Sequence, residues 1–342
     1  MARERIQDSV VACSRRRFIC AAAAAAAVVA PTLGLAQLPK KVFRIGYLNL
    51  RSGPNSSDEA FIQRLRELGY EVDRNIIVEY RWADNDLAQL EQQADELVRL
   101  NVDVIVTAVT PAVQAAKKAT STIPIVMAAA ADPVSTGLIT SLAHPGGNLT
   151  GFSFLTNDLA AKRIQLLREI VPSAARVAVL TWGAAQGSGS PSEQLVAQTV
   201  AAGRQLGFEI SHVSIGDSGD VTTALEAMAR TRPQALIVQV SSLTYEHRGV
   251  IVDAARRMHL PDMYETRLMV EAGGLVSYGP DVDELYRGAA TYVDKILRGA
   301  RPNDLPVEQP TKFELVLNLE AAKSRGIAIP PALLRRADKV IR

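Results

Sequence analysis

Short β-branched runs recur along this chain, separated by amphipathic stretches. The strand candidates are Val42–Leu48, Ile76–Tyr80, Val102–Thr107, Ile123–Ala128 and Leu149–Phe154, then Val177–Trp182, Glu209–Ser214, Ala235–Val240 and Leu275–Tyr278. Several are apolar on both faces, as in Val104-Ile105-Val106 and Val177-Ala178-Val179-Leu180. A strand without a polar face has to be covered on both sides, which is the situation of a parallel sheet between two helix layers. Helix starts fall between the runs. Ser190-Pro191-Ser192-Glu193 has the spacing of a capping box with proline in the first turn, and Asp281 to Glu284 repeats that spacing before Leu285, Ala289, Val293 and Ile296. Thr110-Pro111 and Asp132-Pro133 are further cap-then-proline pairs just after strands, and a helix start is expected at each. The βαβ pattern runs through once to Phe154 and again from a helix over Leu159–Ile170. The expected fold is α/β with two doubly wound lobes, because a single sheet of all these strands would be unusually large.

The first 36 residues are of a different kind. Ser14-Arg15-Arg16-Arg17-Phe18-Ile19 precedes an alanine-rich apolar stretch to about Ala30, and Gly34-Leu35-Ala36 offers small residues for cleavage before Gln37. This has the parts of a twin-arginine export signal, with Arg15 and Arg16 as the paired arginines. An ordinary secretory signal or an uncleaved anchor are the other readings. The stretch is shorter than the roughly 20 strongly apolar residues of a membrane span. Cys20 lacks the small preceding residue of a lipid-bearing cysteine. Cys13 and Cys20 are the only cysteines, so the chain beyond the signal has no disulfide, thiolate metal site or cysteine nucleophile. The signal holds five of the 38 basic residues and two of the 36 acidic ones, which leaves 33 against 34. No basic excess remains to suggest a nucleic-acid or anionic-membrane partner. A periplasmic protein is expected.

In doubly wound sheets, ligands bind beyond the carboxyl ends of the strands, where helix N-termini offer free N–H groups. The residues there are hydroxyl, amide and aromatic: Asn49, Thr107, Thr110 and Asp132 in the first half, Trp182, Ser241, Ser242, Tyr264 and Tyr278 in the second. These nine are the candidate ligand-binding residues. Thr110 and Asp132 fit helix caps equally well, and Trp182 and Tyr278 fit packing residues. The Gly183–Ser190 stretch reads as a surface loop. No nucleotide-binding, phosphate-loop or nucleophile-elbow motif is present, and His144, His212, His247 and His259 have no metal-ligand spacing. Asp84-Asn85-Asp86 begins like a calcium loop but lacks its glycine and distal glutamate. No catalytic residue, metal or cofactor is expected.

Several segments carry a family resemblance. They are Ala131-Asp132-Pro133-Val134 with Gly137-Leu138, Ser141 through Asn148 with Thr150-Gly151, Glu271 through Leu275 and Ser277 through Pro280. Ala290 through Leu297, Leu305 through Phe313, Ile329-Pro330-Pro331 and Arg336-Ala337-Asp338 continue it. Together they resemble the bacterial ABC-transporter substrate-binding protein family whose better-known members take up aromatic amino acids. His144 stands where that family commonly has arginine, and Gly183–Ser190 is locally distinctive. The resemblance implies a periplasmic-binding-protein type I-like fold with three interlobe crossings, near Phe154–Asn157, Ser277–Pro280 and Gln309–Lys312. Lobe one would be 38–154 plus 280–310, and lobe two 155–279 plus 311–342. The partners implied are a small-molecule ligand, an amino acid or related carboxylate, and an ABC permease in the inner membrane; a monomer is expected. A ligand-binding sensory module and an exported α/β enzyme are the alternatives.

Overall fold

The computed structural model describes residues 41–154, 159–182, 191–216 and 220–342. The expected signal peptide with Arg15 and Arg16, the Gly183–Ser190 stretch with its cap residue, and the end of the first crossing at Asn157 lie outside the described residues. In the first half β1 (Phe43–Asn49), α1 (Ser56–Glu67), β2 (Ile76–Trp82), α2 (Leu87–Arg99), β3 (Val104–Ala108), α3 (Thr110–Ala119), β4 (Ile125–Ala131) and β5 (Leu149–Phe154) alternate. The second half runs α4 (Ala160–Ile170), β6 (Arg176–Trp182), α5 (Pro191–Gln205), β7 (Glu209–Ile215), α6 (Val221–Arg230) and β8 (Ala235–Val238). It continues with α7 (Ser242–Glu246), α8 (Arg248–Arg257), β9 (Asp262–Tyr264), α9 (Arg267–Glu271) and β10 (Val276–Pro280). The chain then returns to the first sheet through α10 (Val282–Leu297) and β11 (Val307–Glu308), and finishes on the second with β12 (Phe313–Asn318), α11 (Leu319–Arg325), α12 (Pro331–Arg336) and β13 (Lys339–Ile341).

The strands form two sheets, ordered β11-β5-β4-β3-β1-β2 and β13-β12-β10-β9-β8-β6-β7. Neighbours are parallel except β10 and β12. Both sheets are covered on both faces, and the alternation of side chains sorts each strand between two cores. Ile45, Tyr47, Val104 and Val106 enter one core of the first sheet, while Leu48 and Ile105 enter the other. Ala178 and Leu180 face one core of the second sheet, Val177 and Val179 the other. The continuous apolar runs are thus explained by two-sided burial. Gly288 lets α10 lie close on the first sheet, since a Cβ there would meet the Phe152 ring at 2.4 Å.

Three sequence expectations change. Asp132-Pro133 starts no helix: Thr136 N–H bonds to the Asp132 carbonyl and Leu138 N–H to that of Pro133, so the segment is a run of turns. Thr110 is the first residue of α3 and not its cap, which is Val109. β9, β11, β12 and β13 were not among the strand candidates, because they are short or half polar. The chain changes sheet after Phe154, between Pro280 and Val282, and between Glu308 and Phe313. The last two passages run side by side: Pro280 pairs with Phe313, and Asp281 N–H extends the ladder to the Lys312 carbonyl. Among the described residues no helix is long and apolar enough to cross a membrane.

Candidate functional site

The two sheets repeat one strand order, β2-β1-β3-β4-β5 in the first and β7-β6-β8-β9-β10 in the second. In each, winding reverses direction between two central strands, and the loops leaving those strands part to form a crevice. The four loop starts meet at one cleft of about 200 Å³, with Asn49 and Arg51 after β1, Val109 and Thr110 after β3, Trp182 closing β6 and Ser241 and Ser242 after β8. Most of the wall is apolar, including Leu50, Ala108, Ala129, Phe154, Val240 and Val282.

The first-sheet side carries a strained backbone. Val109 has φ 62° and ψ 145°, a region that a β-branched side chain avoids. It is held there because β3 slips its register against β4 after Thr107, and because Val109 N–H bonds to the Ala129 carbonyl at 2.8 Å. The strain turns the chain directly into α3, whose N-terminus has no side-chain cap. The early N–H groups of such a helix lack intrahelical partners and carry partial positive charge. On the second-sheet side, Trp182 Nε1, Ser242 Oγ and Thr266 Oγ1 are buried without a hydrogen-bond partner, and all three residues line the cleft. Thr266 is the N-cap of α9, yet its hydroxyl makes no cap bond. Each buried polar group left unpaired costs about 1–3 kcal/mol.

The charged groups in the wall are paired inside the protein. The Arg51 guanidinium donates to Asp58, which also accepts from the Tyr47 hydroxyl, and its Nε donates to the Gly53 carbonyl at 2.7 Å. Burial pushes the Tyr286 hydroxyl above the ordinary tyrosine range, with the nearby Arg51 guanidinium opposing the shift. Across the cleft, Glu265 accepts from Arg163 at 3.0 Å and from Val240 N–H at 3.1 Å. Arg163 also donates to the Tyr278 carbonyl at 2.8 Å. Burial raises the Glu265 carboxyl and lowers the Arg163 guanidinium, and the attraction between the two opposes both shifts. With its charges so occupied, the cleft offers hydroxyl, indole and helix-terminal donors around an apolar space of ring size. Among the described residues no group of acidic, histidine and cysteine side chains is placed to hold a metal ion.

A family model described as ABC transporter substrate binding protein matches residues 53–341. The chain belongs to that family. This substrate-binding protein is 28% identical over 288 residues to a tyrosine-binding protein of Clostridioides difficile strain R20291, covering 83% of this chain and 81% of that one. Among solved structures, a conserved domain protein of Vibrio cholerae O1 biovar eltor superposes with a TM-score of 0.80 at 28% identity, over 88% of this chain and all of the other. An ABC domain from Streptococcus pneumonia in complex with L-Trp gives 0.79 at 26% identity, over 87% and 99% of the two chains. The ligand-free, open structure of a substrate binding protein with adhesive properties from Clostridium difficile gives 0.62 at 25%, over 88% and 99%. The two-sheet architecture is therefore the periplasmic-binding-protein type I-like one.

Of the nine candidate residues, Asn49, Thr110, Trp182, Ser241 and Ser242 line the cleft of this substrate-binding protein. The other four do not. Thr107 is enclosed within β3. Asp132 lies one residue past the cleft-lining Ala131, where its carboxylate accepts from Ser135 N–H. Tyr264 is fully buried, with its hydroxyl on Asp262, and Tyr278 packs on Phe313. Alternation of adjacent side chains explains Tyr264: Glu265, next to it, points the opposite way and reaches the cleft. Tyr286 and Thr266 escaped sequence reading because neither comes directly after a recognised strand. The Asp281 cap spacing did place the start of α10, five residues before Tyr286.

Proposed function

We propose that this substrate-binding protein captures an amino-acid-like or aromatic carboxylate between its two lobes and presents it to an inner-membrane ABC permease. The observation that carries this reading is the apolar, ring-sized cleft in which Trp182 Nε1, Ser242 Oγ and Thr266 Oγ1 have no partner. A carboxylate supplies acceptors to such donors and to the open end of α3, and an aromatic body fills the apolar remainder. The tyrosine-binding relative and the L-Trp complex support the same ligand class. The moving bodies would be 38–154 with 280–310 and 155–279 with 311–342. The protein works as a monomer without catalysis, cofactor or nucleic acid, in the periplasm, after export by the twin-arginine route and cleavage after about Ala36.

A thermal-shift screen against L-tryptophan, L-tyrosine, other amino acids, aromatic acids, dicarboxylates and nucleosides tests the ligand class. A ligand at 100 times its Kd stabilises the native state by about 2.7 kcal/mol, which raises Tm by on the order of 5 °C for a chain of this size. The expected outcome is a shift with aromatic amino acids or aromatic acids; a shift confined to nucleosides or dicarboxylates refutes the proposed class. Replacing Arg15 and Arg16 by lysine leaves precursor in the cytoplasm if the twin-arginine route is used.

A further inference from the structure

Glu246 ends α7, the helix whose first residue, Ser242, lines the cleft. Its carboxylate reaches the other lobe. One oxygen accepts Ser52 N–H at 2.8 Å and the Ser52 hydroxyl; the other accepts the Asn85 side-chain amide. Three donors from two loops thus meet one half-buried carboxylate.

Both sides of this contact are braced. The loop after β2 is sewn onto the loop after β1 by Ala83 N–H to the Asn49 carbonyl at 3.1 Å and Asn85 N–H to that of Leu50 at 2.7 Å. Asp84 and Asn85 take φ values of 48° and 61° to present the amide. Arg51, fixed by Asp58 and the Gly53 carbonyl, holds the turn that carries Ser52. Opposite, the Ser241–Thr244 capping box fixes the start of α7, and the Arg248 guanidinium donates to the Tyr245 carbonyl while covering the Tyr245 ring at 4.3 Å.

The place of the contact gives it leverage. β2 stands at the edge of the first sheet opposite β5 and β11, the strands that lead into two of the crossings. Four strand positions separate β2 from β5, roughly 19 Å. Hinge opening changes a few backbone angles at the crossings but moves a distant edge far, so the Glu246 contacts break early.

We propose that Glu246 is a positioning residue, a latch across the cleft mouth that populates the closed form and slows solute release. The proposal rests on the two-lobe binding reading and not on which solute is bound. The higher TM-score to the L-Trp complex than to the open, ligand-free structure, 0.79 against 0.62 at nearly equal identity, supports the closed character of the arrangement that holds the latch. A protein whose competent state is already populated binds more tightly by that fraction.

The test is an interlobe distance distribution from paired spin labels on the full chain. Leu87 and Val250, both exposed, flank the latch on its two sides. Leu87→Cys and Val250→Cys are introduced with Cys13→Ser and Cys20→Ser, so that labels attach nowhere else. Without solute, Glu246→Ala raises the ratio of the long-distance to the short-distance population roughly five-fold. Ser52→Ala gives a smaller change in the same direction, and Glu246→Gln, which keeps one acceptor, falls between. Superimposable distributions for Glu246→Ala and its parent, with unchanged melting, overturn the proposal. L-tryptophan is then added to each. A parent that ignores it counts against the proposed ligand class alone, whereas a parent that closes while Glu246→Ala releases it several-fold faster supports the latch.

Discussion

At the residue scale, the most telling position is Val109. Its φ of 62° stores strain beside the cleft, and glycine at that position would relieve about 1–3 kcal/mol at an entropic cost of about 0.5–1, while forfeiting about 1 kcal/mol of the half-buried side chain's packing against the core of Leu48 and Ile105. Val109→Gly is therefore expected to leave the urea midpoint within a margin worth about 1 kcal/mol of the parent while weakening solute binding, because the start of α3 is no longer held. Unchanged solute binding contradicts this. Arg163 and Glu265 make the opposite case, with side chains 2% and 3% exposed. Arg163→Met strands a buried carboxylate and should cost about 3–5 kcal/mol. Adding Glu265→Gln removes that charge yet keeps an acceptor for Val240 N–H, so the double variant is expected to unfold at higher urea than the single one. These two residues also mark how far the sequence could be read. Loop composition brought Asn49, Thr110, Trp182, Ser241 and Ser242 into view, since each lies at the end of a recognisable strand. It pointed to Tyr264 where the geometry uses Glu265, because which of two adjacent side chains faces a cleft is decided by sheet pairing.

At the element scale, β6 and β7 illustrate how a strand pair carries pH dependence. His212 lies on β7 opposite Val179 of β6, and its Nε2 is 2.8 Å from the Thr181 hydroxyl. Burial lowers its value below the ordinary 6.5, with Glu193 pulling weakly the other way. A lowered folded value means that the unfolded chain takes up the proton first. The stability it contributes is present above pH 6.5 and is lost as pH falls toward the folded value. Urea midpoints measured between pH 7.5 and 5 should decline, and His212→Asn should flatten that decline. The longer elements were legible because Val/Ile runs and cap spacings are local. β9 was not, because Asp262 in a three-residue strand looks like a loop residue. It is fully buried only because the Tyr264 hydroxyl of the same strand and, from two other places in the chain, Arg325 and Leu275 N–H all bond to it. The Asp132-Pro133 pair misled for a related reason. The same local chemistry serves a turn or a helix start, and the packing around the next few residues decides between them.

At the scale of the whole molecule, the passage between sheets is held by Arg267. From α9 it reaches Asp283 on α10, Asp281 in the passage at 3.2 Å and Glu314 on β12 at 3.5 Å. Lys312 adds a 3.1 Å contact to Asp281. Arg267→Met is expected to speed amide exchange in the first turn of α10 and in β12 by on the order of ten-fold, with little change in β1 or β6; uniform acceleration throughout would show that it acts on global stability instead. The two-sheet plan was visible in the repeat of βαβ units, but the antiparallel pairing of β10 with β12 depends on contacts that only the folded chain makes. That plan has a consequence for synthesis. Neither sheet is contiguous in the chain: the first waits for α10 and β11, the second for β12 and β13. At ribosomal speeds of 5–20 residues per second, the first sheet's strands β1–β5 spend on the order of ten seconds without α10, which with α1 covers one of their faces. The nascent protein thus passes through a long, sticky adolescence in which the core of Ile45, Tyr47, Val104 and Val106 is only partly covered against chaperones and proteases, and it matures as one piece only when its C-terminal strands emerge.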